Sequence, residues 1–384
     1  MPDGHAGAYA PDHSSVMSAM AANGYAQANQ IAAGAKSTLA WHAAFRLGDA
    51  VLEVASDCAA LIGELGDHYG ECEIGFDDRD ASSLARARCA VRAVKDTSLA
   101  MVHYHTPLAT PAFDFALALM RHPTAAPLHV EGEPQVDGWR PIVQVATGRT
   151  VVMARAQEVL VDVAQCGPRL LGQLLVEPVL AMQRGLLFAH AASVGIRGAG
   201  VVLVGPSGSG KTTTALTLAS LGHRYFGDDV AALRTETGEL LPFWRIAHVR
   251  PGPHAPLVGT HLADGNWDAP YSDGLPRLRL RVAEVFPTAA SSPLPLRRAL
   301  FLRRFSAQPS IEPFRPTSAN FAAGSRFALN NTLWVAWGHT PPLRLMQFML
   351  FQRLLEQVPC AWLDVGGPEA TAQLIEDTME DSWH

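Results

Sequence analysis

The sequence predicts an α/β C-terminal domain built around a phosphate-binding loop (P-loop), preceded by an α+β N-terminal domain. Three observations carry that expectation. Beyond residue 175, short apolar runs with strand character alternate with helix-compatible segments. A glycine-rich motif, Gly205-Pro-Ser-Gly-Ser-Gly210-Lys211-Thr212, stands between one such run and one such segment. Before residue 175, strand-like and helix-like stretches mix with no comparable motif. At roughly 100–200 residues per domain, a chain of 384 residues makes two or three domains.

Composition excludes several classes. With 48% hydrophobic and 17% charged residues the chain can bury a core, so disorder as its main state is ruled out. A net charge of −6 argues against non-specific binding to nucleic acid or to an anionic membrane. Cys58, Cys72, Cys89, Cys166 and Cys360 are scattered and never form a C-x-x-C pair, so neither a disulfide framework nor a zinc site is signalled. That usage fits a reduced, cytoplasmic chain. No apolar run approaches the roughly 18 residues of a membrane span, and the first residues lack the charged-then-apolar order of a secretion signal.

Along the chain, residues 1–36 are rich in Ala, Gly, Ser and Asn with almost no charge, which predicts a flexible segment. Residues 37–174 form the expected α+β domain. Strands are expected at 45–47, 50–54, 85–94, 99–104, 142–146 and 151–154, and helices at 58–65 and 112–120. Residues 170–184 carry apolar side chains at helical spacing, interrupted by Pro178 and stopped at Gly185, and introduce the domain of residues 175–384. There, strands are expected at 186–190, 201–205, 223–226, 230–233, 277–282, 298–303 and 360–365, and helices at 213–221, 318–327, 343–357 and 369–379.

The glycine-rich motif matches G-x-x-x-x-G-K-[ST] in its required strand-then-helix context. Glycines let the backbone wrap, so that successive N–H groups and the helix N-terminus face a β-phosphate. The residues expected to contact the nucleotide are Gly205, Ser207, Gly208, Ser209, Gly210, Lys211, Thr212 and Thr213, with Lys211 supplying a cation and the Thr212 hydroxyl a ligand for Mg²⁺. Phosphoryl transfer needs more than this loop: a second metal contact, and a group that orients or deprotonates the acceptor. Asp228 and Asp229 directly follow the strand after the loop's helix, where their side chains would emerge near the phosphates; a plain turn or N-cap is the alternative. If residues 187–193 and 201–204 pair as a hairpin around Arg197-Gly198, facing residue numbers sum to about 395. His190 then stands beside Gly205, although a lone His in an apolar strand is more commonly a core residue.

Nine arginines between Arg245 and Arg304 make that segment locally basic. They serve either as solvated strand faces or, for one or two of them, as a triphosphate clamp; Arg250 is the leading candidate. Phe243 and Trp244 read as core or as adenine-flanking packing.

Taken together, His190, the Gly205–Thr212 motif and Gly222-His223-Arg224 leading to Asp228-Asp229 resemble the HPr kinase/phosphorylase family, over about fifty to sixty residues of its P-loop catalytic domain. The resemblance implies an HPr kinase/PEP carboxykinase-like fold, with ATP and Mg²⁺ as cofactors. It also implies roles: Asp229 as the base that takes the proton of an acceptor hydroxyl, Asp228 near the metal, Lys211 on the phosphates and His190 in support. HPr kinases are hexamers, so a homo-oligomer is also raised. Here His248 stands where the family has a metal-binding Glu, and Thr212 where it usually has Ser. The chain looks closer to divergent HPr-kinase-like serine kinases. Some of these resemble kinases of ribosomally made precursor peptides, in which case the N-terminal domain would help recognise a peptide or protein acceptor. A small-molecule kinase, a PEP carboxykinase-like phosphotransferase and a non-catalytic nucleotide sensor are the rival readings.

Overall fold

The computed structural model describes residues 39–75, 84–93, 99–106, 108, 112, 114, 116, 128–130, 138–144, 149–243, 246–249, 278–286, 292–314 and 341–379. The flexible segment expected at 1–36, the helix expected at 318–327, most of the one at 112–120, and Trp244, Arg245 and Arg250 lie outside the described residues.

The first half builds a sheet from β1 (Trp41–Leu47), β2 (Ala50–Ser56), β3 (Ala85–Ala93), β4 (Leu99–Tyr104), β5 (Leu128–Val130), β6 (Arg140–Gln144), β7 (Arg149–Arg155) and β8 (Glu158–Asp162). Its order is β1-β2-β3-β4-β8-β7-β6-β5. Only β2 and β3 run parallel among these neighbours, and α1 (Ala59–Tyr69) makes the crossover that a parallel pair requires. β8 has no counterpart in the sequence reading; it follows a tight turn in which Ala156 adopts a positive φ of 40°.

Helix α2 (Val163–Ala181) begins earlier than the sequence suggests and runs through Pro178 without a break. Proline has no N–H to give the carbonyl four residues back, which is that of Leu174. The buried Tyr104 hydroxyl donates to that carbonyl at 2.7 Å, so the orphaned acceptor is satisfied from the sheet. Burial also raises the Tyr104 phenol well above its usual pKa, so it stays protonated as the donor.

The second half contains β9 (Leu186–Ala189), β10 (Ala191–Ile196), β11 (Ala199–Val204), α3 (Lys211–Ser220), β12 (Arg224–Gly227), β13 (Ala231–Arg234), β14 (Glu239–Leu241), β15 (Ala247–Val249), β16 (Leu278–Leu280), α4 (Val282–Val285), β17 (Leu294–Phe305), β18 (Ser310–Phe314), α5 (Pro341–Leu355), β19 (Cys360–Val365) and α6 (Pro368–Thr378). Its main sheet runs β12-β10-β11-β17-β14-β13-β9, with β19 also on β17 and β18 on β19. β11, β17 and β19 are mutually parallel, so their carboxyl ends share one edge, where ligands of open α/β sheets bind. One face packs against α3 and α6 through Leu216, Leu218, Ala372 and Ile375, the other against α5 through Phe351, Leu354 and Leu355. The protein is thus a mixed α/β molecule.

A single apolar cluster joins the halves: Leu171, Leu174, Val176 and Val179 of α2 pack with Phe45 and Val102 of the first sheet and with Phe188, Ala232 and Phe243 of the second half. Residues 174 and 175, the expected domain boundary, lie within α2. At the rim Arg234 Nη1 pairs with Asp49 at 2.8 Å, and Gln183 bonds both the Asp49 N–H and the Leu47 carbonyl.

Candidate functional site

The loop of residues 205–210 connects the carboxyl end of β11 to the first turn of α3. Its shape requires glycine. Gly208 and Gly210 have positive φ, 81° and 99°, and Gly210 is the N-cap of α3. At Gly205 a Cβ would meet Ser209 Oγ at 2.4 Å and Leu302 Cβ at 3.1 Å. Ser209 Oγ is buried without a hydrogen-bond partner, a polar atom facing the bend of the loop.

Lys211, only 6% exposed, curls back so that Nζ donates to the carbonyls of Gly205 at 2.8 Å and Pro206 at 3.1 Å. Burial pushes its ammonium pKa down, and the charges of Asp229 and then Asp228 oppose that shift. The lysine and both carboxylates therefore share one electrostatic cluster. Thr212 and Thr213 follow in the first turn of α3.

Strand pairing explains how His190 reaches the same place. β10 and β11 form a hairpin around Arg197 and Gly198, both at positive φ as a type I′ turn demands. Ala191 faces Val204, so the next residues outward are His190 and Gly205, the expected register. The hairpin does not extend back to Leu187 as the sequence suggested. At His190 the chain changes partners: Ala189 pairs with Ala231 of β13, whereas Ser193 pairs with Gly227 of β12. The acidic turn lies between β12 and β13, so the two crossover points coincide and His190 meets Asp229.

His190 Nδ1 lies 3.0 Å from both Oδ1 and the backbone carbonyl of Asp229. Both are acceptors, so Nδ1 carries a proton and donates. This contact fixes Asp229, whose side chain is 32% exposed and accessible to a substrate. Asp228 is buried, and its Oδ1 accepts from the Tyr225 hydroxyl at 2.9 Å. Gly227 directly before it cannot carry a side chain without strain, because a Cβ would lie 2.8 Å and 2.9 Å from the carbonyls of Val230 and Phe243.

Other expected residues have structural places. Phe243 packs edge-on against Phe188 in the core, with ring centroids 5.7 Å apart, and so does not flank an adenine. His223 bonds Glu376 of α6. Sequence reasoning missed the far side of the loop. There Asp364, 3% exposed, receives Nε and Nη2 of Arg303 at 2.9 and 3.1 Å and the same two atoms of Arg304 at 3.1 and 3.0 Å. The Arg303 bonds hold the Asp364 carboxyl down at about 2; burial opposes this and Arg304 adds to it. Only the position of Arg303 and Arg304 in the basic stretch hinted at this cluster.

A glycine-rich loop at the carboxyl edge of parallel strands, a buried lysine at a helix start, and an acidic pair held by a histidine thus stand together at one edge of a mixed α/β protein. Over 52 residues, 14% of this chain and 17% of the relative, it is 44% identical to "HPr kinase/phosphorylase" of Bacillus pumilus, and the same figures hold for the Bacillus cereus (strain B4264) protein of that name. The chain is related to HPr kinases through this segment, which spans about a sixth of the length of those curated relatives. No family model matches the chain. The solved "Hpr(Ser) kinase/phosphatase from Coxiella burnetii" aligns over 50% of this chain and 87% of its own at 15% identity and a TM-score of 0.25, a superposition too loose to say more. Among the described residues, no helix is long and apolar enough to cross a membrane.

Proposed function

We propose that the protein is an ATP-dependent kinase that transfers the γ-phosphoryl group to a Ser or Thr hydroxyl of a peptide or protein. The observation that carries this reading is the contact of His190 with Asp229 beside Gly205, in the same cluster as Lys211. In the reaction, Asp229 accepts the hydroxyl proton as the acceptor oxygen bonds the γ-phosphorus and the bond to the β–γ bridging oxygen breaks, releasing ADP. His190 holds the Asp229 carboxylate in place for that transfer. Lys211 leaves its two loop carbonyls for the phosphate oxygens, and the backbone from Gly208 to Thr213 cradles them. The Arg250 clamp stays part of the proposal.

For the metal, the donor set fits. Thr212 and Asp228 offer hydroxyl and carboxylate oxygens, the kind Mg²⁺ takes together with substrate phosphates. Among the described residues no group of three or more His, Cys, Asp or Glu could hold a metal ion by itself. Held by Thr212 and Asp228, Mg²⁺ would supply positive charge to offset that of the phosphates.

The two-domain division at 174/175 fits this reading as a division of labour, with the first sheet offering a surface for the acceptor and the cytoplasm as the site of action. Two variants test the function with labelled ATP and a panel of peptides, proteins, sugars and amino acids. Asp229→Asn is expected to bind ATP like the parent but to lose transfer by at least about a hundredfold. Lys211→Ala is expected to lose both. Full transfer by Asp229→Asn overturns the role of the base; tight ATP binding with no acceptor ever phosphorylated overturns the kinase.

A further inference from the structure

The strands on either side of β11 divide the surroundings of the loop. β10 and β12, with His190 and the acidic pair, lie on one flank; β17 and β19 lie on the other. If the γ-phosphate faces Asp229, the triphosphate crosses the loop and its nucleoside leaves over the β17–β19 flank. This inference rests on the proposed nucleotide reading and adds a subsite to it.

That flank carries a largely exposed aromatic side chain. Phe305 ends β17 with 65% of its surface exposed, the most exposed of the large apolar side chains described. Its ring nevertheless stands against the loop: a Cβ on Gly210 would lie 3.5 Å from Phe305 Cε1 and 3.4 Å from Val365 Cγ1. Backbone geometry sets the orientation. A bulge between Leu302 and Arg304 lets both Arg303 and Arg304 reach Asp364 and leaves Phe305 paired with Val365. Val365 belongs to the cluster on the α3 face of the sheet, so Phe305 emerges on that face at the helix start, while the two arginines are pinned to Asp364. A rigid strand end thus presents one exposed aromatic ring beside the point where a nucleotide's phosphates would end.

We infer that Phe305 is the stacking platform for the base of a nucleoside triphosphate bound at the loop, with the Arg303–Asp364–Arg304 knot holding the strand end that presents it. A phenyl ring takes any base by its π-face, so it contributes affinity with little choice between bases.

Calorimetric titration of the full chain with ATP and, separately, with inorganic tripolyphosphate, both with Mg²⁺, tests this. Phe305→Ala is expected to weaken ATP binding about tenfold and leave tripolyphosphate binding unchanged, and Phe305→Trp to restore ATP affinity. At 65% exposure the ring contributes little to folding, and circular dichroism checks that the variant is native. ATP binding unaltered in Phe305→Ala, while Lys211→Ala loses both ligands, overturns the subsite and leaves the phosphate reading standing. A parent chain that binds neither ligand overturns both.

Discussion

One imidazole nitrogen meets two oxygens of the same residue at the mouth of the loop, and this contact decides how Asp229 can act. A carboxylate that is 32% exposed and unrestrained would sample several rotamers. Tied by its Oδ1 and backbone carbonyl to His190 Nδ1, it keeps one. In the proposed reaction His190 is therefore a positioning residue. His190→Ala is expected to lower kcat about ten- to a hundredfold with ATP affinity unchanged, and His190→Asn, whose amide N–H can stand in for Nδ1, to recover part of the loss. An equal fall in ATP affinity would assign the histidine to the phosphates instead. The motif, the acidic pair and the His190 register were legible in sequence, because hairpin arithmetic and loop chemistry are local. The His190–Asp229 contact was not. It depends on β12 and β13 pairing with strands on opposite sides of His190, a long-range fact that no local pattern records.

At the scale of elements, α2 continues through a proline that sequence alone reads as a break. Pro178 reads locally as a helix interruption, and that reading fails because the repair comes from a strand 70 residues away, where Tyr104 caps the Leu174 carbonyl. Tyr104→Phe leaves a buried acceptor unsatisfied and is expected to cost about 1–2 kcal/mol in denaturant unfolding. In a Pro178→Ala background the restored N–H serves Leu174, so the same substitution should cost markedly less, a coupling that a double-mutant cycle measures. Equal costs in both backgrounds would sink this account. Strands such as β19, found at its expected bounds, were legible because an apolar run flanked by Pro359 and Gly366 leaves little choice. β8, β14 and β18 were missed: they are only three to five residues long and are set by their neighbours in the sheet.

For the molecule as a whole, α2 is the element that joins the two halves. Its apolar side chains are buried from both sides, and the same cluster reaches Phe188 and Ala232 of the strands that bracket His190 and the acidic turn, and Val230 at the end of that turn. The first half thus buttresses the elements that carry the site, a role invisible in sequence because residues 37–174 contain no chemical motif. The parallel trio β11, β17 and β19 then sets the loop between an acidic flank and an aromatic one. The measurement that bears most directly on this account is a crystal structure of the full chain with Mg²⁺ and a non-hydrolysable ATP analogue. The expected result is a triphosphate wrapped by residues 205–213, with its γ-phosphate beside the Asp229 carboxylate and a groove leading to it. An analogue bound elsewhere, or a γ-phosphate turned away from Asp229, would contradict the account.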